Sequence, residues 1–304
     1  MRQFITLTGR NLKLYLRDKG AVFFSLLSML IVIGLMVFFL GDMSVDSIKD
    51  ALGAMPGRDA EADAKNAELL VLVWTCAGIL AINAVTVTLA VYSVMIKDKM
   101  SGKLGSIYTA PISRGVITGS YIAAAWIASV LICGITLALT EGYCVTEGLE
   151  AFSFATHMKL LGMIMVNSFA YATFMYIAAM IAGTEGAWSG IGTVIGTLVG
   201  FLGGIYLPIG ALSETIGNLM KCTPVIYGTA MFREIMMEDI LQETFDGIPR
   251  SFVDEYELEM GVRLEVFDKL LTTGQEVGLL VIFGLVFLVA GVCMLKFGKK
   301  KDRY

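Results

Sequence analysis

The sequence predicts an all-α integral membrane protein with six transmembrane helices. Hydrophobic residues make up 56% of the chain and charged residues only 16%, whereas soluble domains carry about 25% charged residues. Mean hydropathy is +0.74. The charges cluster between long apolar stretches, and a hydrocarbon core of ~30 Å needs ~20 such residues in a helix. Lysine and arginine are also divided unevenly among the connecting segments, as the positive-inside rule requires of a spanning protein.

The spans fall at about 21–40, 69–96, 116–139, 160–182, 189–210 and 277–295. Backbone groups in lipid must bond within their own segment, so each is read as a helix. The first is a permanent span: some twenty residues precede it and no small-x-small cleavage site follows. Ahead of it, residues 1–20 form an amphipathic interfacial helix. Arg2, Arg10, Lys13 and Arg17 share one face, with Phe4, Ile5, Leu7, Leu12, Tyr15 and Leu16 broadly opposite. Such a helix lies in the headgroup plane, its basic side toward anionic lipid or a cytosolic partner.

Orientation follows from the basic residues. With both termini cytoplasmic, the inner segments hold Arg2, Arg10, Lys13, Arg17 and Lys19, then Lys97, Lys99, Lys103 and Arg114, then Lys296, Lys299, Lys300, Lys301 and Arg303. Their acidic companions are Asp18, Asp98, Glu185 and Asp302, which leaves nine basic and 23 acidic residues outside. Both ends inside require an even number of spans, and six is even. The chain is therefore placed in the cell membrane as a multi-pass protein.

Two connections stand out. Residues 97–115, KDKMSGKLGSIYTAPISRG, are polar and too long for a minimal link. They predict a short helix around 97–109, broken before Pro111. Residues 211–276 are too charged to span, yet hold an apolar stretch from Cys222 to Met237. A re-entrant or interfacial hairpin is expected there, followed by a soluble acidic portion, with Pro208 and Pro224 marking breaks.

The loop after the second span resembles that of the type-2 ABC exporter permeases. It offers Asp98, Lys99, Gly102 and Leu104, then Thr109, Pro111, Ser113 and Arg114, in that family's order. Met100, Lys103 and Gly105 depart from its usual acidic pattern. A second stretch, with Gly204, Pro208, Leu212, Pro224, Tyr227 and Arg233, is similar to the family's fifth span and re-entrant hairpin. Tyr15-Leu16-Arg17-Asp18 before Phe23-Phe24 looks like its N-terminal helix. The loop around 52–68 and residues 240–270 match nothing in that pattern.

The resemblance implies one transmembrane permease domain over 1–304. It implies that residues 97–115, including Lys103, seat on an ABC ATPase, with Arg10, Lys13 and Arg17 in the same footprint. No G-x-x-x-x-G-K-[ST] phosphate loop is present, so the ATPase is expected on a separate chain, with ATP and Mg bound there and no cofactor bound directly here. The chain itself is expected not to be an enzyme. The resemblance further implies pairing with a second copy or a related permease, and nothing points to nucleic acid. The substrate is not legible; a small amphipathic compound, drug or peptide is the default.

Other candidates come from the spans. Gly192, Gly196, Gly200 and Gly204 recur every four residues and suggest a packing seam. Asn83, Thr86, Asn167 and Ser168 are polar groups in hydrocarbon, either bonding helix to helix or lining a path. No Asp, Glu, Lys or Arg lies centrally in any expected span, which argues against an ion-coupled carrier. The single histidine, His157, sits at a membrane boundary and disfavours intramembrane hydrolysis. The five cysteines show no metal or redox spacing; Cys144 and Cys222 both fall in expected outer loops, where a bond between them is left open. A non-transport sensor or assembly protein acting through its acidic outer loop remains the alternative.

Overall fold

The computed structural model describes residues 1–35, 45–46, 48–49, 52, 58–267 and 269–298. Residues 36–40 of the first expected span, residues 53–57 of the unplaced loop and the basic tail from Lys299 to Arg303 lie outside the described residues. The helices, in chain order, are α1 (Arg2–Arg17), α2 (Lys19–Leu35), α3 (Ala60–Met100), α4 (Lys103–Thr109), α5 (Arg114–Thr146), α6 (Phe154–Ile181) and α7 (Glu185–Leu202). They continue with α8 (Glu214–Lys221), α9 (Pro224–Met236), α10 (Glu238–Thr244), α11 (Arg250–Glu259) and α12 (Thr273–Gly298). A two-residue antiparallel pair, β1 (Glu265–Val266) and β2 (Lys269–Leu270), precedes α12.

Four described helices are long and apolar enough to cross a membrane: α3, α5, α6 and, over Thr273–Met294, α12. α2 and α7 are also apolar but have only 17 and 18 described helical residues, and 18 residues rise about 27 Å. On α12 the residues Ile282, Leu285, Val286 and Val289 all face outward. So continuous an apolar surface suits contact with lipid.

Caps set the boundaries, and several helices outrun their apolar stretches. α3 begins nine residues before Leu69, because the Asp59 side chain accepts the Glu61 and Ala62 N–H groups. Glu61 and Asp63 then sit at its N-terminus, and Lys97 and Lys99 at its C-terminus, where the helix dipole favours each. Residues 60–68, expected as loop, are thus helix. Ser113, Ser153 and Thr184 cap α5, α6 and α7 in the same way. α7 stops at Leu202, well short of Gly210. Gly204 adopts φ +61°, its N–H bonds Phe201 O, and Ile205 N–H bonds Gly200 O. This is a Schellman stop, which needs a residue tolerant of the left-handed region.

The core is built around α3, which packs against α2, α5, α6, α7 and α9. Trp74 and Tyr92 are fully buried on it. Polar groups stitch the bundle together: Asn83 donates to Thr136, Asn167 to Ala81 O, Ser129 to Ser168 and Tyr92 to Ala172 O. Without a hydrophobic force between helices in lipid, such bonds contribute on the order of 0.6 kcal/mol each. Cys144 lies inside α5, buried, with its sulfur 3.8 Å from that of Cys76, while Cys222 is exposed. The bond left open between Cys144 and Cys222 is therefore not formed; α5 runs seven residues past Leu139 and carries Cys144 into the bundle.

The segment after α7 folds back onto the bundle. α9 packs against α3, α6 and α12, and its Arg233 is 0% exposed. The guanidinium lies over the Trp74 ring, 3.9 Å from the centroid, and donates to Gly204 O (2.8 Å), Met260 O (3.1 Å) and Gly261 O (3.4 Å). Trp74 Nε1 donates to the same Met260 carbonyl. Residues 240–270, which matched no expected pattern, form most of α10, all of α11 and the β1–β2 pair. Arg58 ties them to the start of α3, gripping Asp63 through two bonds and donating to Thr244 O and Asp246 O.

Candidate functional site

At the opposite end of α3 from Arg58, the residues singled out in 97–115 meet α1. Asp98 is the centre. Its carboxylate accepts two bonds from Arg10, at 2.6 and 2.8 Å, and a third from the Tyr121 hydroxyl at 2.7 Å. The Asp98 side chain is 5% exposed and that of Arg10 32%. This bidentate geometry uses the guanidinium fork fully. Asn11, next to Arg10, reaches Ser120 of α5 at 3.3 Å. α1 is thereby bonded to the end of α3 and the start of α5.

The basic face expected on α1 is split by this arrangement. Arg2, Lys13 and Arg17 remain exposed, while Arg10 turns inward to Asp98. The buried side is Thr8, Asn11 and Tyr15; Ile5 and Leu16, expected opposite the charges, are exposed on its flank. At the α1–α2 corner Asp18 accepts the Ala21 N–H and pairs with Lys97 at 3.2 Å. The Ala21 N–H, and then Lys97, hold its carboxyl below the usual carboxylate range.

The loop itself has anchored and presented residues. Lys99 donates to Ala182 O, beyond the last turn of α6, and Leu104 is buried. The Arg114 guanidinium sits 5.2 Å from the centre of the Tyr108 ring. Gly102, Lys103, Thr109, Pro111 and Ser113 are exposed. The expected single helix over 97–109 is instead two: α3 ends at Met100, Gly102 turns at φ +73°, and α4 begins at Lys103. The break before Pro111 is present, since Ala110 is extended.

The span candidates separate into different settings. Asn83, Asn167 and Ser168 are buried and bond helix to helix. Thr86 lines a cleft of about 430 Å³ between α2, α3 and α7, together with Ser93, Lys97, Gly192 and Gly196. The four glycines do not share one partner. Gly192 lies against Leu89 of α3, Gly196 meets open space, Gly200 meets the Tyr206 ring, and Gly204 is in the turn beyond the helix.

Three participants escaped the sequence reading: Tyr121, Asn11 and Ser120. Their signal was present, as polar residues on α1 and near the start of α5, but which of them face one another is set by packing. His157 bonds Glu141 Oε2 at 2.8 Å and Ser153 O at 2.9 Å, at the junction of α5 and α6. Among the described residues no group of three or more His, Cys, Asp or Glu side chains is placed to hold a metal.

The family model described as ABC-2 type transporter matches residues 2–237 of this chain. No curated protein and no solved structure matches it.

Proposed function

The chain belongs to the ABC-2 type transporter family, and on that premise we propose that it is the membrane subunit of an exporter powered by a separate ABC ATPase. Six spans are assigned: α2, α3, α5, α6, α7 and α12. Both termini and residues 97–115 then face the cytoplasm. α8 and α9 form the re-entrant hairpin on the outer side, and residues 211–276 face outward. The subunit works as a pair, with a second copy or a related permease, and ATP and Mg bind to the partner ATPases.

The observation that carries the reading is the Arg10–Asp98–Tyr121 cluster. It bonds α1 across the end of α3 and the start of α5, so residues 101–113 are carried between two joined helices as a polar platform. ATP-driven closure of a cytosolic dimer moves a membrane helix only through an element that does not yield. Lys103, Thr109, Pro111 and Ser113 are presented from that platform, and Lys13 and Arg17 extend it. The cleft lined by Thr86, Ser93, Gly192 and Gly196 is the favoured stretch of the transport path. Its mainly apolar wall with a few hydroxyls suits a small amphipathic cargo.

The test is affinity purification of the tagged full chain from its native membrane in mild detergent, followed by mass spectrometry. An ABC ATPase recovered in near-equal amount is the expected result. Recovery of none, with residues 97–115 shown by labelling to face the cytosol, would overturn the proposal.

A further inference from the structure

α5 runs from the platform, where Ser120 and Tyr121 are bonded, to the opposite end of the bundle. There residues 147–153 link it to α6, and the only histidine of the chain closes the junction. His157 lies near the start of α6, ahead of the apolar stretch from Leu160, and Glu141 lies just beyond Leu139 in the last turns of α5. Nε2 of the imidazole is 2.8 Å from Glu141 Oε2, and Nδ1 is 2.9 Å from the Ser153 carbonyl oxygen. The second oxygen of Glu141 accepts the Phe152 N–H at 3.0 Å, and the Phe152 ring stands edge-on to the imidazole. Ser153 itself caps α6. One ring and one carboxylate thus fasten α5, the link and α6 together.

These partners fix the proton count. A carbonyl oxygen only accepts a hydrogen bond, and so does an ionised carboxylate. Both ring nitrogens must therefore carry hydrogen. A neutral imidazole has one N–H, so at these distances it would press a lone pair against either Ser153 O or Glu141. Passing the second proton to Glu141 would leave the count unchanged, but imidazole is the stronger base and keeps it. The His157 side chain is 35% exposed, so that proton exchanges with water without unfolding.

The other charges at this end are placed elsewhere. Lys159 stands 3.9 Å from Glu238 of α10, and the Lys65 amine of α3 lies against Gly148. Glu234 of α9 accepts from Thr273, and Glu276 of α12 is buried. Glu147 and Glu150 are exposed on the link.

We propose that His157 and Glu141 form a proton-operated latch between α5 and α6. With both ring nitrogens protonated it holds the end of α5 to the start of α6. When the ring gives up a proton, its bond to α5 or to Ser153 is lost and the junction loosens. Imidazole makes this change near physiological pH, so the latch closes on acidification and opens as pH rises. On the topology proposed above it faces outward and senses external acidity; its chemistry does not rest on that topology.

For the test, the full chain, with an affinity tag free of histidine, is labelled with 15N-histidine and reconstituted in phosphatidylcholine vesicles. With one histidine in the sequence, the ring signals belong to His157 alone. Magic-angle-spinning NMR from about pH 5 to about pH 9 reads the protonation of both nitrogens. Hydrogen exchange, corrected for its intrinsic dependence on pH, reads the junction. The expected result is a ring with two N–H groups at low pH that loses one in a single step. Protection over 149–157 should fall at least about threefold across that step, while protection over 97–115 stays level. Glu141→Gln should give up the proton at least about one pH unit lower. His157→Gln should remove the pH dependence of protection at the junction, which a merely structural role would not do. A ring with one N–H throughout, a proton loss that leaves protection unchanged, or a Glu141→Gln chain that titrates with the wild type each overturns the proposal. The wild-type measurements decide it even if neither variant folds. ATPase co-purification reports separately on the exporter reading, so the two can fail independently.

Discussion

Two arginines are drawn inward at opposite ends of the same helix bundle, and they are treated differently. Arg10 meets a carboxylate on another helix, keeps about a third of its side chain in solvent and is held by a geometry that water can replace. Arg233 meets no carboxylate among the described residues. It is fully enclosed by three backbone carbonyls and the Trp74 ring. The first is a joint between separate helices, α1 and α3. The second closes three chain segments over one another: the turn after α7, the turn after α11 and the middle of α3. A joint can be loaded and released; a closure of this kind has no intermediate position, because removing it takes the donor from the Gly204 and Gly261 carbonyls at once.

The sharpest way to break this contrast is Arg233→Met. It removes three hydrogen bonds and the cation–π contact and leaves buried acceptors unpaired, which costs about 3–5 kcal/mol in comparable cases. A melting temperature about 5–10 °C lower is expected. Hydrogen exchange should quicken over 204–212 and 250–264 but not over 97–115. If exchange instead rises at the platform, the two ends are not separate units.

Asp98→Asn should come second. The amide keeps the shape but loses the charge that anchors Arg10, for a cost of about 1.5–3 kcal/mol. Arg10→Met combined with Asp98→Asn should cost less than the two separate losses together, with a coupling of about 1 kcal/mol or more. Additive losses in that cycle would show that Arg10 and Asp98 act independently. For the exporter reading, Asp98→Asn should also reduce cargo-stimulated ATP hydrolysis while Arg233→Met, once folded, retains ATPase capture.

How much of this was legible beforehand depended on the kind of signal. The four long apolar helices α3, α5, α6 and α12 were, because hydropathy is summed over some twenty residues and single errors average out. Pro111 was also legible as a break, since it acts through its own backbone, whereas the turn at Gly102 was not: the expected helix ran through it. Pairing was not. Arg10 and Asp98 are 88 positions apart, and each reads as an ordinary surface charge until α1 is packed on α3 and α5. The burial of Glu276, 2% exposed in the first turn of α12, escaped for a related reason: it lies at the edge of an apolar stretch, where sequence cannot tell a solvated loop from the first turn of a buried helix. The glycine ridge shows the opposite error. A four-residue period was visible from Gly192 to Gly204, but the helix ends at Leu202, so Gly204 serves a turn and the period outlasts the element that gave it meaning.

Gly102→Ala tests the connection between platform and span with a smaller effect. At φ +73° a Cβ is strained even though open space surrounds the site. The cost is about 1–2 kcal/mol, with the strain concentrated where α3 hands over to α4. Insertion and folding should persist, while ATP hydrolysis continues with transport reduced severalfold. Full transport in this variant would mean that the turn yields without consequence.

Lys103→Glu should have the smallest effect on stability and therefore says most about function. The side chain is exposed and reaches Asp98 only through space, without a hydrogen bond, so the change should stay within about 0.5–1 kcal/mol. The same limit holds for Lys13→Glu on α1. If the platform exists to seat an ATPase, reversing two presented charges should lower ATPase recovery at least tenfold and make the remainder more sensitive to salt, with an unchanged melting temperature. Asp98→Asn should lower both. That separation distinguishes a surface that docks from a joint that transmits. Equal ATPase recovery in the double charge reversal and the wild-type chain would move the docking contact off Lys13 and Lys103 and onto the uncharged residues Thr109, Pro111 and Ser113.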